Sequence, residues 1–205
     1  MADWQRVTAA GADFELKIVP VGTFENVVYL VRDPDSHEGY VIDAGWEPDT
    51  IAKEVGDTKV LGILITHGHN DHHDQLDELK AKLGVPAAIG ELDQGMLKSP
   101  PESVIVDRQT LPFGKSALTA IHTPGHTPGS TCFTVGNLLF SGDTLFPGGV
   151  GNTKGQTGHF YTIIRSVEYR LLSLPEDTII YPGHGKPSTI GAEKPSLGEW
   201  KERGW

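Results

Sequence analysis

Residues 60–73 read VLGILITHGHNDHH, an apolar run that passes directly into a cluster of histidine and aspartate side chains. The run is typical of a buried strand, and just past its end His67, His69, Asp71 and His72 follow a His-x-His-x-Asp-His spacing. Imidazole and carboxylate together suit zinc, iron or manganese, and ligands this closely spaced can serve two ions. Solvated histidines on a polar turn are the weaker interpretation, because protonated imidazoles at this spacing would repel one another. The stretch therefore predicts a metal site at the end of a strand.

Three further candidate ligands lie at the ends of other short apolar runs. His126 is set in HTPGHTPGS, where two Pro-Gly pairs favour a tight turn. Asp143 directly follows LLFSG, and His184 directly follows TIIYPG. Folds that alternate strands and helices commonly assemble their sites from side chains at the carboxyl ends of strands. We expect these three side chains to complete the site, whereas His73 and His122, which adjoin the motifs, are interpreted as structural.

In chain order, these motifs resemble those of the metallo-β-lactamase superfamily. Asp43, in YVIDAG, matches the acidic residue that the family carries before its metal motif, and the resemblance extends from about Val19 to Ile190. It implies an α/β fold of four layers, the αββα sandwich, with the metals in the cleft between sheet edges. The likeness is closest to glyoxalase II-like hydrolases, through FSGDTLF and its aspartate, Asp143. Class B1 lactamases carry cysteine at that position, so hydrolysis of antibiotics is not expected.

The resemblance also implies how two metal ions would share the ligands. The implied ligands are His67, His69 and His126 for one ion, Asp71, His72 and His184 for the other, and Asp143 as the bridge. The expected cofactors are two divalent ions, zinc in the first place and iron or manganese as alternatives. Two ions about 3.5 to 4 Å apart would lower the pKa of a shared water toward 7 and polarise the carbonyl under attack. Asp71 and Asp143 are therefore also the candidate catalytic residues, and the residual positive charge suits an oxyanion and a leaving thiolate.

Hydrophobic periodicity predicts two halves that each alternate strands and helices. In the first half the expected strands are 14–20, 26–31, 39–42 and 60–65, with helices at 48–55 and 71–83. In the second half the expected strands are 118–122, 131–135, 138–140 and 178–181, with a helix at about 161–172. Leu76, Leu79 and Leu83 form the apolar stripe of helix 71–83, which Gly84 and Pro86 end.

The composition predicts one domain that spans residues 1–205. Its 17 basic and 27 acidic side chains give a formal net charge of −10, which disfavours nucleic acid and anionic membranes as partners. The expected partner is a small-molecule substrate, and a homo-oligomer stays open. The single cysteine, Cys132, cannot form an internal disulfide, and its strand-like setting indicates a structural role. The N-terminus lacks a signal-peptide pattern and no apolar run reaches membrane-spanning length, so we expect a cytoplasmic protein.

The sequence defines the substrate less closely than the metal site. Glyoxalase II enzymes carry a helical C-terminal extension that binds glutathione, whereas only 21 residues follow His184. Where those enzymes place thiol-binding residues, this chain has Asn152, Thr153 and Lys154. Lys186, two residues past a metal ligand, is the candidate contact for a substrate anion. We therefore expect a low-molecular-weight thiol ester as the substrate, with generic recognition that gives measurable but inefficient hydrolysis of S-lactoylglutathione.

Two other functions are compatible with the ligand set. Persulfide dioxygenases share the scaffold and use a single iron, so a mononuclear iron oxidoreductase is the main alternative. A non-catalytic metal-binding module is the second alternative, which the completeness of the ligand set disfavours. The metal content of the purified protein separates the hydrolase from the dioxygenase.

Overall fold

The first of two main sheets contains the strand that leads into the metal motif. The computed structural model describes residues 3–154 and 157–204. The seven strands of this sheet pair in sequence order: β1 (Gln5–Ala9), β2 (Ala12–Val21), β3 (Asn26–Arg32), β4 (Glu38–Ile42), β5 (Lys59–Ile65), β6 (Ala87–Gly90) and β7 (Ser103–Ile105). Strands β1 to β4 form an antiparallel meander, whereas β4 to β7 run parallel to one another. The metal motif after β5 therefore lies at the carboxyl edge of a parallel segment.

The second sheet has six strands and supplies the other candidate ligands. In chain order the remaining strands are β8 (Thr110–Phe113), β9 (Ser116–His122), β10 (Thr131–Val135), β11 (Leu138–Gly142), β12 (Leu145–Phe146), β13 (Gly149–Val150), β14 (Ile179–Pro182) and β15 (Ser188–Thr189). The sheet order is β15-β14-β11-β10-β9-β8, and β12 and β13 form a separate hairpin. Strands β11 and β14 are parallel, so the segments that follow them emerge at the same edge.

The main core lies between the two sheets, and β3 shows how the sequence builds it. Every residue of β3 is buried. Val27, Tyr29 and Val31 pack in the core between the sheets, whereas Val28 and Leu30 pack in a second core on the other face. Side chains on a strand alternate between faces, so a strand covered on both sides must be apolar throughout.

Helices cover the outer face of each sheet. The helices are α1 (Pro48–Val55), α2 (Asn70–His73), α3 (Leu76–Leu83), α4 (Thr157–Ser166), α5 (Ile190–Glu193) and α6 (Leu197–Arg203). Ile51 of α1 and Leu79 of α3 pack on the first sheet. Ile164 of α4 and Trp200 of α6 pack on the second sheet. The order helix, sheet, sheet, helix confirms the predicted αββα sandwich.

The prediction of one continuous helix over 71–83 is wrong, because the segment is divided into α2 and α3. The Asp71 carbonyl accepts a hydrogen bond from Asn26 Nδ2 at 3.1 Å. The Gln75 amide, which would bond that carbonyl in a continuous helix, donates instead to the Ala44 carbonyl at 3.3 Å. Contacts with the first sheet thus replace the helical bond and set the orientation of the ligand-bearing turn.

Several short elements were missed because their local signals are weak. Strand β6 reads Ala-Ala-Ile-Gly, which has little intrinsic preference for a strand, and it forms by pairing in parallel with β5. The helix predicted at about 161–172 begins earlier, at Thr157, and continues into a π-helical turn at Val167–Leu171. Among the described residues, no helix has the length and apolar character needed to cross a membrane.

Candidate metal centre

The loops at one edge of the two sheets bring all seven predicted ligands together. Four of these ligands follow β5 of the first sheet, and the other three follow β9, β11 and β14 of the second. Their ligand atoms form three groups, and the atoms of each group all lie within 4.8 Å of one another. The groups are His67, His69 and His126; His67, His72 and Asp143; and Asp71, His72 and His184. Each group combines side chains from both sheets, and the cluster is capable of binding metal ions.

One side of the cluster consists of three imidazoles. His69 Nδ1 lies 2.8 Å from His126 Nε2. The ring centroids of His67 and His126 are 4.7 Å apart. This group matches the ligand set that the resemblance implied for the first ion, with His69 presenting Nδ1.

The other side combines imidazoles with a carboxylate, and Asp143 lies between the two sides. His184 Nε2 is 3.1 Å from Asp71 Oδ2 and 3.1 Å from His72 Nε2. Asp143 Oδ1 is 3.4 Å from His72 Nε2, whereas Asp143 Oδ2 is 3.5 Å from His126 Nε2. Asp143 therefore lies within 3.5 Å of an imidazole of each side, and its role as the bridge stays a prediction.

Hydrogen bonds behind the rings fix how three of the histidines face the cluster. In each case the Nδ1–H group donates to an oxygen outside the cluster, which directs Nε2 toward the cluster. The pairs are His72 with Asp43 Oδ2 at 2.9 Å, His126 with the Asn152 carbonyl at 2.9 Å, and His184 with the Phe24 carbonyl at 2.7 Å. Asp43 also accepts hydrogen bonds from the Thr66 amide and hydroxyl at 2.8 and 2.9 Å. The carboxylate of Asp43 therefore connects the end of β5 to α2.

The protonation preferences of the cluster suit metal ligands. Burial, reinforced by the neighbouring imidazoles, lowers the pKa of His67 well below its usual value, so its ring is neutral. Burial alone would raise the pKa of Asp143, but the imidazole of His72 and its neighbours lower it, and the carboxyl is ionised. His67 Nε2 and Asp143 Oδ1 are buried and have no hydrogen-bond partner among the described residues. Buried acceptors that lack a partner and face a histidine cluster fit a metal ion.

His72 differs from His67 in its preference for a proton. Burial opposes its charge, but the carboxylates of Asp43 and Asp143 outweigh burial and raise the pKa of His72 well above its usual value. A metal ion must displace this proton, so binding to the side of the cluster that contains His72 releases a proton.

A cavity of about 630 Å³ opens over the cluster. Besides four of the candidate ligands, its lining consists of Gly68, Asn70, Met96, Asn152 and Lys154. The ammonium group of Lys154 is close enough to contribute, after burial and His126, to a lowered pKa of His69. Lys186 is exposed and is not among the residues that line this cavity, so its substrate contact stays a prediction.

Two contributors to the site had no recognisable signal in the sequence. Asn26, at the start of β3, donates from Nδ2 to Asp71 Oδ2 at 3.2 Å. Met96 packs so closely on the metal motif that a Cβ atom at Gly68 would lie 2.6 Å from its sulfur. Neither residue type marks a metal site by itself, and only the fold brings them to it.

The two neighbouring histidines have structural contacts, as predicted. His73 is buried and donates from Nε2 to the Gly68 carbonyl at 3.2 Å. His122 Nε2 donates to the Pro128 carbonyl at 2.9 Å. Cys132 is buried in β10, where burial raises the pKa of its thiol to about 11.

The sandwich and its histidine and aspartate cluster define the class of protein. A family profile described as the Metallo-beta-lactamase superfamily matches residues 21–184, and the chain belongs to that superfamily. The resemblance inferred from the motifs is therefore confirmed.

Three individual proteins show where within the superfamily the similarities lie. Hydroxyacylglutathione hydrolase GloC of Haemophilus influenzae is 33% identical, in an alignment that covers 88% of this chain and 95% of that protein. The crystal structure of TTHA1623 in a di-iron-bound form has 30% identity and a TM-score of 0.71, covering 86% of this chain and 96% of that one. The crystal structure of BLEG-1 B3 metallo-beta-lactamase has 26% identity and a TM-score of 0.81, covering 88% and 96%.

Proposed function

We propose that the protein is a dinuclear metal-dependent hydrolase that acts on small thiol esters. The convergence of seven candidate ligands in three overlapping groups carries this proposal. Catalytic zinc sites usually take about three protein ligands per ion, so seven are more than one ion needs. The di-iron-bound form of TTHA1623, a protein with a similar structure, supports a count of two metal ions.

The chain's own residues would orient and neutralise the bound ions. Bound metal would supply an activated water and a Lewis acid for the substrate carbonyl. Asp43 and the carbonyl groups behind the histidines hold the rings in one orientation, so little reorganisation is needed during the reaction. Asp71 and Asp143 bring the negative charge that two dications require. A separate nucleophilic side chain is unnecessary.

The cavity lining supports a small, anionic substrate. Its volume of about 630 Å³ lies within the range for small-molecule sites. Lys154 places a cation on the lining, where it would attract a carboxylate of the substrate, and Met96 offers an apolar wall. The similarity to hydroxyacylglutathione hydrolase GloC supports a thiol ester as the substrate class.

Metal analysis combined with activity assays tests this function. Protein purified without added metal should contain close to two transition-metal ions per chain, with zinc expected first and iron or manganese as alternatives. It should also release thiol from S-lactoylglutathione, followed with a chromogenic thiol reagent. One iron per chain with oxygen uptake on glutathione persulfide would instead establish the dioxygenase. A protein that holds metal but turns over neither substrate class would be the non-catalytic module.

A further inference from the structure

A buried carboxylate outside the ligand set joins the two loops that carry the three-imidazole side of the metal centre. Asp93 lies in the 3-10 helix Glu91–Met96, directly after β6, and its side chain is fully buried. Its Oδ2 accepts hydrogen bonds from the Gly68 amide at 2.9 Å and the Thr127 hydroxyl at 2.5 Å. Its Oδ1 accepts a hydrogen bond from the Gly129 amide at 2.6 Å.

The donors lie next to metal ligands in the chain. Gly68 separates His67 from His69, and Thr127 follows His126. One carboxylate therefore holds the β5 loop of the first sheet and the β9–β10 loop of the second. These two loops supply the whole of the group formed by His67, His69 and His126.

This 3-10 helix packs so closely against both loops that a side chain would not fit at Gly129 or Gly68. A Cβ atom at Gly129 would lie 2.6 Å from the Asp93 amide nitrogen. At Gly68 the same addition would meet the Met96 sulfur at 2.6 Å. The helix thus contacts the metal motif through two of its side chains, and both contacts are at the glycine between the first two histidines.

The three donors suit an ionised carboxylate, which accepts hydrogen bonds and cannot donate them. No ion pair to Asp93 occurs within residues 3–154 and 157–204, so the negative charge is held by hydrogen bonds alone. Burying a charge without a counter-ion is costly unless hydrogen bonds satisfy it, as they do here. A dication bound by the neighbouring histidine group would stabilise this charge further.

We propose that Asp93 is a positioning residue, which sets the spacing between the His67 and His69 loop and the His126 loop and thereby the metal affinity of that group. Removing its charge would leave the two loops connected by fewer and weaker bonds. Mutations of residues that orient metal ligands from outside typically cost about 10- to 100-fold in metal affinity.

The chain offers a matched control in Asp33. It is also buried, at 1% exposure, and accepts three hydrogen bonds, from the amides of Asp35, Ser36 and Lys115 at 3.0, 2.7 and 2.9 Å. It follows β3, whose opposite end contacts Asp71 through Asn26, so it lies roughly 20 Å from the metal centre at the usual rise of a strand. Asp33→Asn therefore removes an equivalent buried charge far from the ligands.

Zinc titration of the full chain, stripped of metal, tests the role. Competition with a chromogenic chelator gives the dissociation constants of the bound ions in wild type, Asp93→Asn and Asp33→Asn, and thermal unfolding of the metal-free proteins gives their stability. We expect Asp93→Asn to weaken at least one zinc about 10- to 100-fold. Asp33→Asn should lower thermal stability and leave both constants within about threefold of wild type. Unchanged constants in Asp93→Asn, or equal weakening in Asp33→Asn, would overturn the proposal.

A second pair of variants covers the case in which Asp93→Asn does not fold. Thr127→Val removes one of the three donors and Thr127→Ser keeps it, so zinc should bind more weakly to the valine variant than to the serine variant. Equal zinc affinity in the valine and serine variants would overturn the positioning role of Asp93. The titration contains no substrate, so failure to hydrolyse thiol esters with normal zinc binding would overturn the proposed reaction and leave this inference standing.

Discussion

Asp143 contacts imidazoles on both sides of the cluster, so its charge is the one best placed to hold two cations together. Asparagine keeps the size of the side chain but exposes the mutual repulsion of the ions. We expect Asp143→Asn to retain fewer than two ions and to lose roughly 100-fold or more in kcat/KM. Lys186→Ala, at an exposed position outside the cavity lining, should lose far less. Plasma mass spectrometry measures the metal content, and steady-state kinetics measure kcat/KM. An Asp143→Asn variant that keeps both metals and near-normal turnover would contradict the bridging role of Asp143.

Lys154 gives a second prediction at the scale of one residue. An ion pair at a partly exposed site contributes about 1 kcal/mol, so Lys154→Ala should raise KM about fivefold for a thiol ester that carries a carboxylate. An uncharged thiol ester should be unaffected, because it has no group to pair. Lys53→Ala, which makes the same change on the exposed face of α1, serves as the control. A KM for the carboxylate ester that is the same in Lys154→Ala as in the wild type would remove Lys154 from the binding site.

The convergence of the candidate ligands could be predicted from the sequence because their types and spacings form a local pattern. Asn26 and Asp93 could not, since each acts on a loop far along the chain and carries no motif of its own. Asp93 is 25 residues from Gly68 and 34 from Thr127, two of its donors. Contacts of that range depend on the path of the whole fold, which hydrophobic periodicity does not define.

Among the secondary structure elements, α2 illustrates how closely the ligand-bearing turn is packed. A Cβ atom at Gly45 would lie 1.7 Å from the Asp71 carbonyl oxygen, so Gly45→Ala must push α2 away from the sheet. We expect a loss of about 1–3 kcal/mol in stability, as for other overpacked sites, together with weaker metal retention. Chemical unfolding and zinc titration measure the two effects. Gly198→Ala in α6 meets no atom within 4 Å and should leave both unchanged or slightly improved.

A Gly45→Ala variant with wild-type stability would show that α2 can shift without cost.

The same packing explains why the prediction of one long helix at 71–83 was wrong. The leucines at the helical spacing are present, but periodicity carries no information on the Asn26 and Ala44 contacts that replace the helical bond. The long strands and α1 were predictable because their sequences carry a strong local signal, which is a continuous apolar run in β3 and a helical spacing of buried residues in α1.

For the molecule as a whole, the lining of the cavity predicts that the protein hydrolyses several thiol esters at similar rates. Among the described residues that line it, Lys154 is the sole lysine or arginine, so a large anionic thiol has few cationic contacts to distinguish it. Weak binding of the remote part of a substrate lowers kcat/KM. We expect S-lactoylglutathione to be hydrolysed with poor saturation, at rates similar to those of coenzyme A esters and simpler thiol esters. A low KM with strong preference for S-lactoylglutathione, in a panel of steady-state assays, would contradict this expectation.

Metal removal should change the stability of the entire sandwich. A ligand that binds the folded chain alone stabilises it by about 4 kcal/mol when its free concentration is 1,000 times Kd. Dialysis against a chelator should therefore lower Tm by several degrees, and added zinc should restore it. A variant with His67 and His184 both replaced by alanine provides the control, since its Tm should not respond to either treatment. A chelator-insensitive wild-type Tm would show that the ions do not stabilise the fold.

Every candidate ligand group takes members from both sheets, so an ion bound there would cross-link the halves of the chain. We expect this geometry to connect the abundance of the protein to the supply of the metal. Chains without metal would open more often, and proteases that cleave the opened form would degrade them faster. Under metal starvation we therefore expect the half-life of the protein to shorten, so that its amount, and not only its specific activity, follows the availability of the ion.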